Sequence, residues 1–155
     1  YYYYKIMTEV TQATIDAKIA ELELDGAAIS TKVEGRAFIN GEYVEATSGE
    51  TISTSNPATG KVVAMISSCA KEDVDKAVEA ARIAFEHGSE WSGLHPNERK
   101  AILLKFASLI EEHTLELAVL DSVEAGKSIK DNLEGDVPDT VGCFQFHAEA
   151  IGKEY

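Results

Sequence analysis

A chain of 155 residues carrying 27 acidic against 14 basic side chains, a formal charge of -13, is repelled at long range by nucleic acid and by anionic membrane surfaces. With 45% hydrophobic and 26% charged residues and three prolines, the composition excludes a disordered or collagen-like chain and suits a folded protein with a core. The two cysteines, Cys69 and Cys143, have no disulfide-type spacing; no run reaches the ~18 apolar residues of a membrane span, and no basic-then-apolar leader marks a secretory signal, so the cytoplasm is the expected compartment.

Residues 1–4 are all tyrosine, and Lys5 and Ile6 precede a Met7 that reads as a translation start, so residues 1–6 are set apart as an extraneous leader or as residues of uncertain identity. Over residues 8–24 the apolar positions favour a helix with Gly26 as its stop, and residues 25–35 form a polar connector. Asn40-Gly41 between β-formers predicts a tight hairpin, since both turn positions require positive φ. A second pair of strands is expected at residues 51–55 and 62–66, separated by the turn chemistry of Asn56-Pro57-Ala58-Thr59-Gly60.

From Lys71 the period becomes helical, with Val74, Ala77, Val78, Ala81 and Phe85 on one face and Glu72, Asp73 and Asp75 near the positive N-terminal end. Gly88 ends this helix. Pro96 suits the first turn of the next, whose stripe is Ile102, Leu103, Phe106, Leu109 and Ile110. Thr114 is placed as the cap of a further helix running to Gly126, and residues 128–153 form a last long helical stretch with Pro138 at a kink or at a first turn after a break. The two stripes are expected to share one core.

Several phrases at the junctions carry more information than any periodicity. They are Phe38-Ile39-Asn40-Gly41-Glu42-Tyr43, Ser55-Asn56-Pro57-Ala58-Thr59-Gly60-Lys61-Val62, the run from Glu72 to Arg82 with Phe85 and Trp91, Glu98-Arg99 with Leu103, Leu109-Ile110-Glu111, and Glu124-Ala125-Gly126-Lys127. In this order and spacing, over residues 36–153, they resemble the N-terminal portion of the aldehyde dehydrogenase family. The segment from Met7 to Arg36 and the end of the chain look most like the subgroup that oxidises γ-glutamyl-aminobutyraldehyde and related aminoaldehydes.

The resemblance implies an α/β fold for the full family protein, with a Rossmann-like coenzyme domain. This chain would contribute a mostly helical part with short antiparallel hairpins: an N-terminal helix and connector over residues 7–35, then the N-terminal part of the coenzyme-binding domain over 36–155. The implied reaction is NAD- or NADP-dependent oxidation of an aldehyde to the carboxylic acid by a cysteine thiolate, with a glutamate as base and an oxyanion-stabilising amide. The resemblance places all of those groups, and the residues that bind the cofactor, after Tyr155. Inspection agrees: no Gly-x-Gly-x-x-Gly, no phosphate loop and no cysteine in the nucleophile's context occurs. The expected partners are the remainder of a dehydrogenase chain, a small aldehyde and further copies in a homo-oligomer.

By the same resemblance Thr54, Ser55 and Glu124 match positions that supply part of a monovalent-cation site in some members, with oxygen ligands that suit a hard cation. Asp136 and Asp139 match a helix bordering the substrate entrance, where acidic groups would attract a cationic tail. Cys143 and His147, four apart, could share a helix face, but His87, His95 and His113 are isolated and no zinc set is complete. Cys143 is read as a buried structural thiol and Cys69 as a junction residue. The rival reading is a stand-alone, non-catalytic module of helices and hairpins that borrows the family's N-terminal layer.

Overall fold

The computed structural model describes residues 10–153. Residues 1–9, which include the tyrosine run and Met7, and Glu154 and Tyr155 lie outside the described residues. Helix α1 (Gln12–Glu21) starts at Thr11, whose hydroxyl accepts from the Thr14 N–H at 3.3 Å while Thr14 Oγ1 accepts from the Thr11 N–H at 2.8 Å. It ends earlier than Gly26: Leu22 caps it, Glu23 takes the left-handed φ of 56°, and Leu22 and Leu24 turn into the core. Burial of two leucines thus decides the exit before the glycine is reached.

Strands β1 (Ala37–Ile39) and β2 (Glu42–Val44) pair antiparallel with Phe38 opposite Tyr43. Asn40 and Gly41 have φ of 53° and 83°, the double left-handed turn that the dipeptide predicts. Strands β3 (Thr51–Ser55) and β4 (Val62–Ser67) form a second antiparallel pair, with a bulge between Thr54 and Ser55. Val63 and Ala64 of β4 are buried.

Helix α2 (Lys71–Phe85) follows, then α3 (Pro96–Glu112), where Pro96 opens the first turn and the Glu98 carboxylate accepts from the His95 N–H at 2.8 Å. Helix α4 (Thr114–Ala125) ends at Gly126, left-handed at φ 71°. Thr114 does not cap α4: His113 occupies the N-cap position, and the Thr114 hydroxyl instead donates to the Glu111 carbonyl at 2.7 Å, sealing the end of α3. The last helical stretch is divided into α5 (Ile129–Asp131), a π-helical turn (Asn132–Asp136) and α6 (Val137–Ala150), with Pro138 in the first turn of α6. Proline there lacks the N–H and crowds the preceding turn, which accounts for the interruption.

Two linked clusters make the core. Leu22, Leu24, Val63, Val119 and Val123 form one, and Ala118, Leu133 and Val137 the other; Leu115 and Ile129 pack against both. Helix α3 packs along α6, tied by Lys100 Nζ to the Glu149 carboxylate at 2.8 Å and by an edge-to-face contact of Phe106 with Phe144 at 4.8 Å.

The expected shared core of α2 and α3 does not form. Val74, Val78, Phe85, Ile102, Phe106 and Leu109 are all exposed, and Asp73 is the one buried residue of α2. Helix α2 packs only on β1 among the closer element pairs, so its apolar stripe has the right period but no element over it. Cys143 is exposed and not buried as expected, as is Cys69; Val141 and Ala148 take the inward positions of α6 in its place.

Candidate functional site

The residues singled out from sequence fall around the C-terminal end of α4 and the π-helical turn. The β3–β4 register shifts between Thr54 and Ser55, where Val63 of β4 is the extra residue and its carbonyl accepts from the Ser30 N–H at 2.7 Å. Just beyond, Pro57 lies against Gly126, where an added Cβ would come within 2.7 Å of Pro57 Cγ. This close approach sets the end of β3 beside the end of α4, and the two elements pack together. Glu124 is exposed on that same helix end. The end of β3 and the end of α4 that carries Glu124 thus adjoin, and oxygen donors are the ligand type that suits a hard monovalent cation.

Asp136 is partly buried and already paired. Its carboxylate accepts from Lys127 Nζ, and that contact raises the lysine's pKa above its ordinary value. The fully buried Asn132 completes the arrangement: its amide oxygen accepts from the Ser122 N–H at 3.2 Å and hydroxyl at 3.0 Å, and its amide NH2 donates to Asp136 at 2.6 Å. A buried amide is tolerable only with its hydrogen bonds made, and here they hold the π-helical turn against α4. Asp139, one turn on, is exposed and has no ion pair among the described residues. The two aspartates are therefore unlike: Asp136 braces the turn and Asp139 presents its charge to solvent.

Glu124 and Asp136, with Asp121, also line a groove of about 420 Å³ between α3, α4 and α6. Apart from Thr140 the other lining side chains are apolar, among them Phe106, Ile110, Leu117 and Phe144. Cys143 and His147 share no hydrogen bond; His147 packs edge-on against Phe146 at 5.4 Å. Among the described residues no group of three or more His, Cys, Asp or Glu could hold a metal ion, and no helix is long and apolar enough to cross a membrane.

Two elements of the site escape sequence reasoning. Lys127, Asn132 and Ser122 gave no spacing signal, because their network closes across a turn; the one visible hint is a polar asparagine between the apolar Ile129 and Leu133. Asp73 reads as a helix N-terminal acid, but it does more. Its carboxylate accepts from the Ala70 N–H at 3.0 Å, from the Thr47 N–H at 2.9 Å and from the Thr47 hydroxyl, so it fastens the β2–β3 loop to the start of α2. Those bonds, the Thr47 hydroxyl's first, hold its pKa below the ordinary carboxylate value against the opposing effect of burial.

Comparison with known proteins places this architecture. The model of the aldehyde dehydrogenase family matches residues 43–155. The chain is 48% identical over 120 residues to an aminoacetaldehyde dehydrogenase of Pseudomonas aeruginosa, covering 77% of this chain and 24% of that protein. It is 43% identical over 128 residues to the NADP/NAD-dependent aldehyde dehydrogenase PuuC of Escherichia coli, covering 83% and 26%. A crystal structure of γ-glutamyl-γ-aminobutyraldehyde dehydrogenase from Burkholderia cenocepacia superposes with a TM-score of 0.83 at 42% identity, over 94% of this chain and 27% of that one. The chain spans about a quarter of the length of the relatives it matches. Its helices and paired short strands are those of the N-terminal part of their fold, and the chain belongs to the aldehyde dehydrogenase family.

Proposed function

We propose that this chain is the N-terminal part of an NAD(P)-dependent aldehyde dehydrogenase that oxidises an aminoaldehyde to its carboxylic acid. The supporting observation is that relatives named for aminoacetaldehyde and for γ-glutamyl-γ-aminobutyraldehyde match most of this chain, the latter over 94% of its length. Residues 7–35 form the leading segment and 36–155 the start of the coenzyme-binding domain. The nucleophilic cysteine, the general base and the groups that hold NAD or NADP lie in later sequence in this reading, which is supported by the lack here of a dinucleotide-loop motif and of a cysteine in the family's nucleophile context. The complete protein is a cytoplasmic homo-oligomer in this reading.

What this segment supplies is positioning and charge. Backbone oxygens of Thr54 and Ser55, with Glu124, would hold a monovalent cation that ties β3 to α4. Asp139 and, behind it, Asp136 give the substrate entrance negative potential, which favours an aldehyde with a protonated amine. The test is to express the longer reading frame and the 155-residue chain side by side and follow NAD(P)H with an aminoaldehyde and with a neutral aldehyde of equal length. The longer protein should oxidise the aminoaldehyde at the higher kcat/KM, and the 155-residue chain should oxidise neither. Reproducible NADH formation by the short chain, abolished by Cys143→Ala, would overturn the assignment of chemistry to later residues.

A further inference from the structure

We propose that the connector ahead of β1 is a strap that guards the outer edge of β4 against pairing with a second copy of this chain, and that Glu23 is its latch. The composition of β4 gives the reason for a guard. Val62–Ser67 contains no charged residue, proline or glycine, and an uncharged edge rich in β-formers is a template for pairing with another strand like itself. One edge of β4 is taken by β3. The other meets the connector at two points, where the Val63 carbonyl accepts from the Ser30 N–H and the Ser67 N–H donates to the Gly35 carbonyl, each at 2.7 Å. Gly35 lies so close to the strand that an added Cβ would come within 2.1 Å of the Met65 carbonyl oxygen, so only glycine fits there. Between those points the connector turns its amides to side chains: Thr31 donates to the Glu23 carboxylate at 2.8 Å, and Lys32 and Val33 to the Ser30 hydroxyl at 3.1 and 3.2 Å. The strap is thus a loop fastened at its ends and not a third strand, and its release breaks few bonds.

Glu23 occupies a position that suits another residue better. Helix α1 ends with the Leu24 N–H donating to the Ile19 carbonyl at 2.9 Å and the Glu23 N–H to the Ala20 carbonyl at 3.1 Å, the paired bonds of a Schellman motif. The left-handed residue of that motif is ordinarily glycine, and a side chain at φ 56° is strained. What the glutamate adds is reach, since its carboxylate accepts from both the N–H and the hydroxyl of Thr31. The adjoining Ser30 is buried and donates its hydroxyl to the Leu22 carbonyl at 2.7 Å, so the latch sits beside the strap's first anchor. With the strap released, the backbone groups of Met65 and Ser67, two residues apart, face the same bared edge. Two copies of one uncharged strand can then pair antiparallel about a two-fold axis, the closed arrangement for identical chains, with no like charges opposed between the strands.

Hydrogen exchange on the 155-residue chain, read amide by amide, tests the latch and the guard together. Glu23→Gly and Glu23→Asn both suit the left-handed backbone; the first has no side chain to reach Thr31, and the second is shorter and uncharged. In each variant the Ser30, Thr31 and Ser67 amides should lose about tenfold in protection while the Leu24 amide keeps its own. The Met65 amide should then gain protection as protein concentration rises, which it should not do in the parent chain. Adding Met65→Lys to Glu23→Gly should abolish that gain at the same position, because a charge on an edge strand opposes pairing. If Glu23 serves only to end α1, residues better suited to φ 56° would leave the strap amides as protected as before, and the latch would be overturned. An equal loss at Leu24 would show a loosened helix end in place of a released strap and would overturn it too. Strap amides released with Met65 indifferent to concentration would overturn the guard. Aldehyde oxidation enters none of these readings, so their failure and the failure of the proposed activity are separable.

Discussion

Two halves of the molecule obey the same periodicity and meet different fates. In the inner half, α1, β4, α4 and the π-helical turn bury Leu22, Leu24, Val63, Val119, Val123 and Leu133 against one another, and Val119 has no exposed surface. In the outer half, α2 and α3 present stripes of equal regularity, yet Phe85 is 81% exposed and Val78 60%. Amphipathic spacing states which face of a helix gains from burial, but it carries no information about what lies opposite. Contiguous apolar surface of this kind on a soluble chain is a mark of an interface, in keeping with a chain that spans about a quarter of its relatives' length.

The contrast can be broken most sharply from the inner side. Leu133, 5% exposed and packed with Ala118 and Val137, should cost about 2–5 kcal/mol on truncation to alanine, read from chemical denaturation with an unchanged slope. A loss well below that would mean that the π-helical turn is loosely packed and that the two halves differ less than described. The next effect is conformational. Gly126→Ala forces an L-residue to φ 71° and drives its Cβ toward Pro57, for an expected cost of about 1–3 kcal/mol. Pairing it with Pro57→Ala should recover the steric part of that loss and leave the backbone part.

How much of this was legible beforehand depended on the range of the interaction. The hairpin at Asn40-Gly41 and the stop at Gly126 could be read, because each rests on the φ preference of one or two residues. Thr114 was misplaced as a cap because its hydroxyl had two local uses, and packing at the α3–α4 junction chose the carbonyl behind it over the amides ahead. The π-helical turn was visible only as a proline in a helical pattern. At the candidate site, the positions of Thr54, Ser55, Glu124, Asp136 and Asp139 came from resemblance, and their division into a braced Asp136 and a free Asp139 could not. That division depends on Lys127 and Asn132 meeting across a turn, for which no sequence spacing exists.

Asp73 joins the halves, since it is the one buried residue of the otherwise exposed α2 and its partner Thr47 belongs to the loop beneath. Its folded-state pKa is depressed below the ordinary 3.8, so its contribution is fully present above that value and is lost as pH falls through the depressed folded-state value. The expected result is an acid-labile tether: below pH 3.8 the Thr47 and Ala70 amides should lose hydrogen-exchange protection ahead of the amides of α4. Asp73→Asn should remove that pH dependence and leave both amides less protected at neutral pH. Simultaneous loss of protection in α2 and α4 would instead mean that the outer half is not separately stabilised.

The smallest effect on stability is the most informative about the outer half. Phe106 has the sequence signature of a core residue, and at a fully buried site its truncation to alanine would cost about 3–5 kcal/mol. It is 46% exposed, and its aromatic contact is with Phe144 at the groove edge, so the expected cost of Phe106→Ala in the isolated chain is below about 1 kcal/mol. The same reasoning predicts what that surface does in water. The chain should bind a hydrophobic dye and self-associate, and added salt should promote association by screening the repulsion of its -13 charge. Val78→Ser with Phe85→Ser should then lower dye binding and association while leaving the denaturation midpoint almost unchanged, a pairing of outcomes that buried positions cannot give. A cost of several kcal/mol for Phe106→Ala, with no dye bound at any salt, would show that α3 is covered in solution and would favour a self-contained module over one part of a larger dehydrogenase.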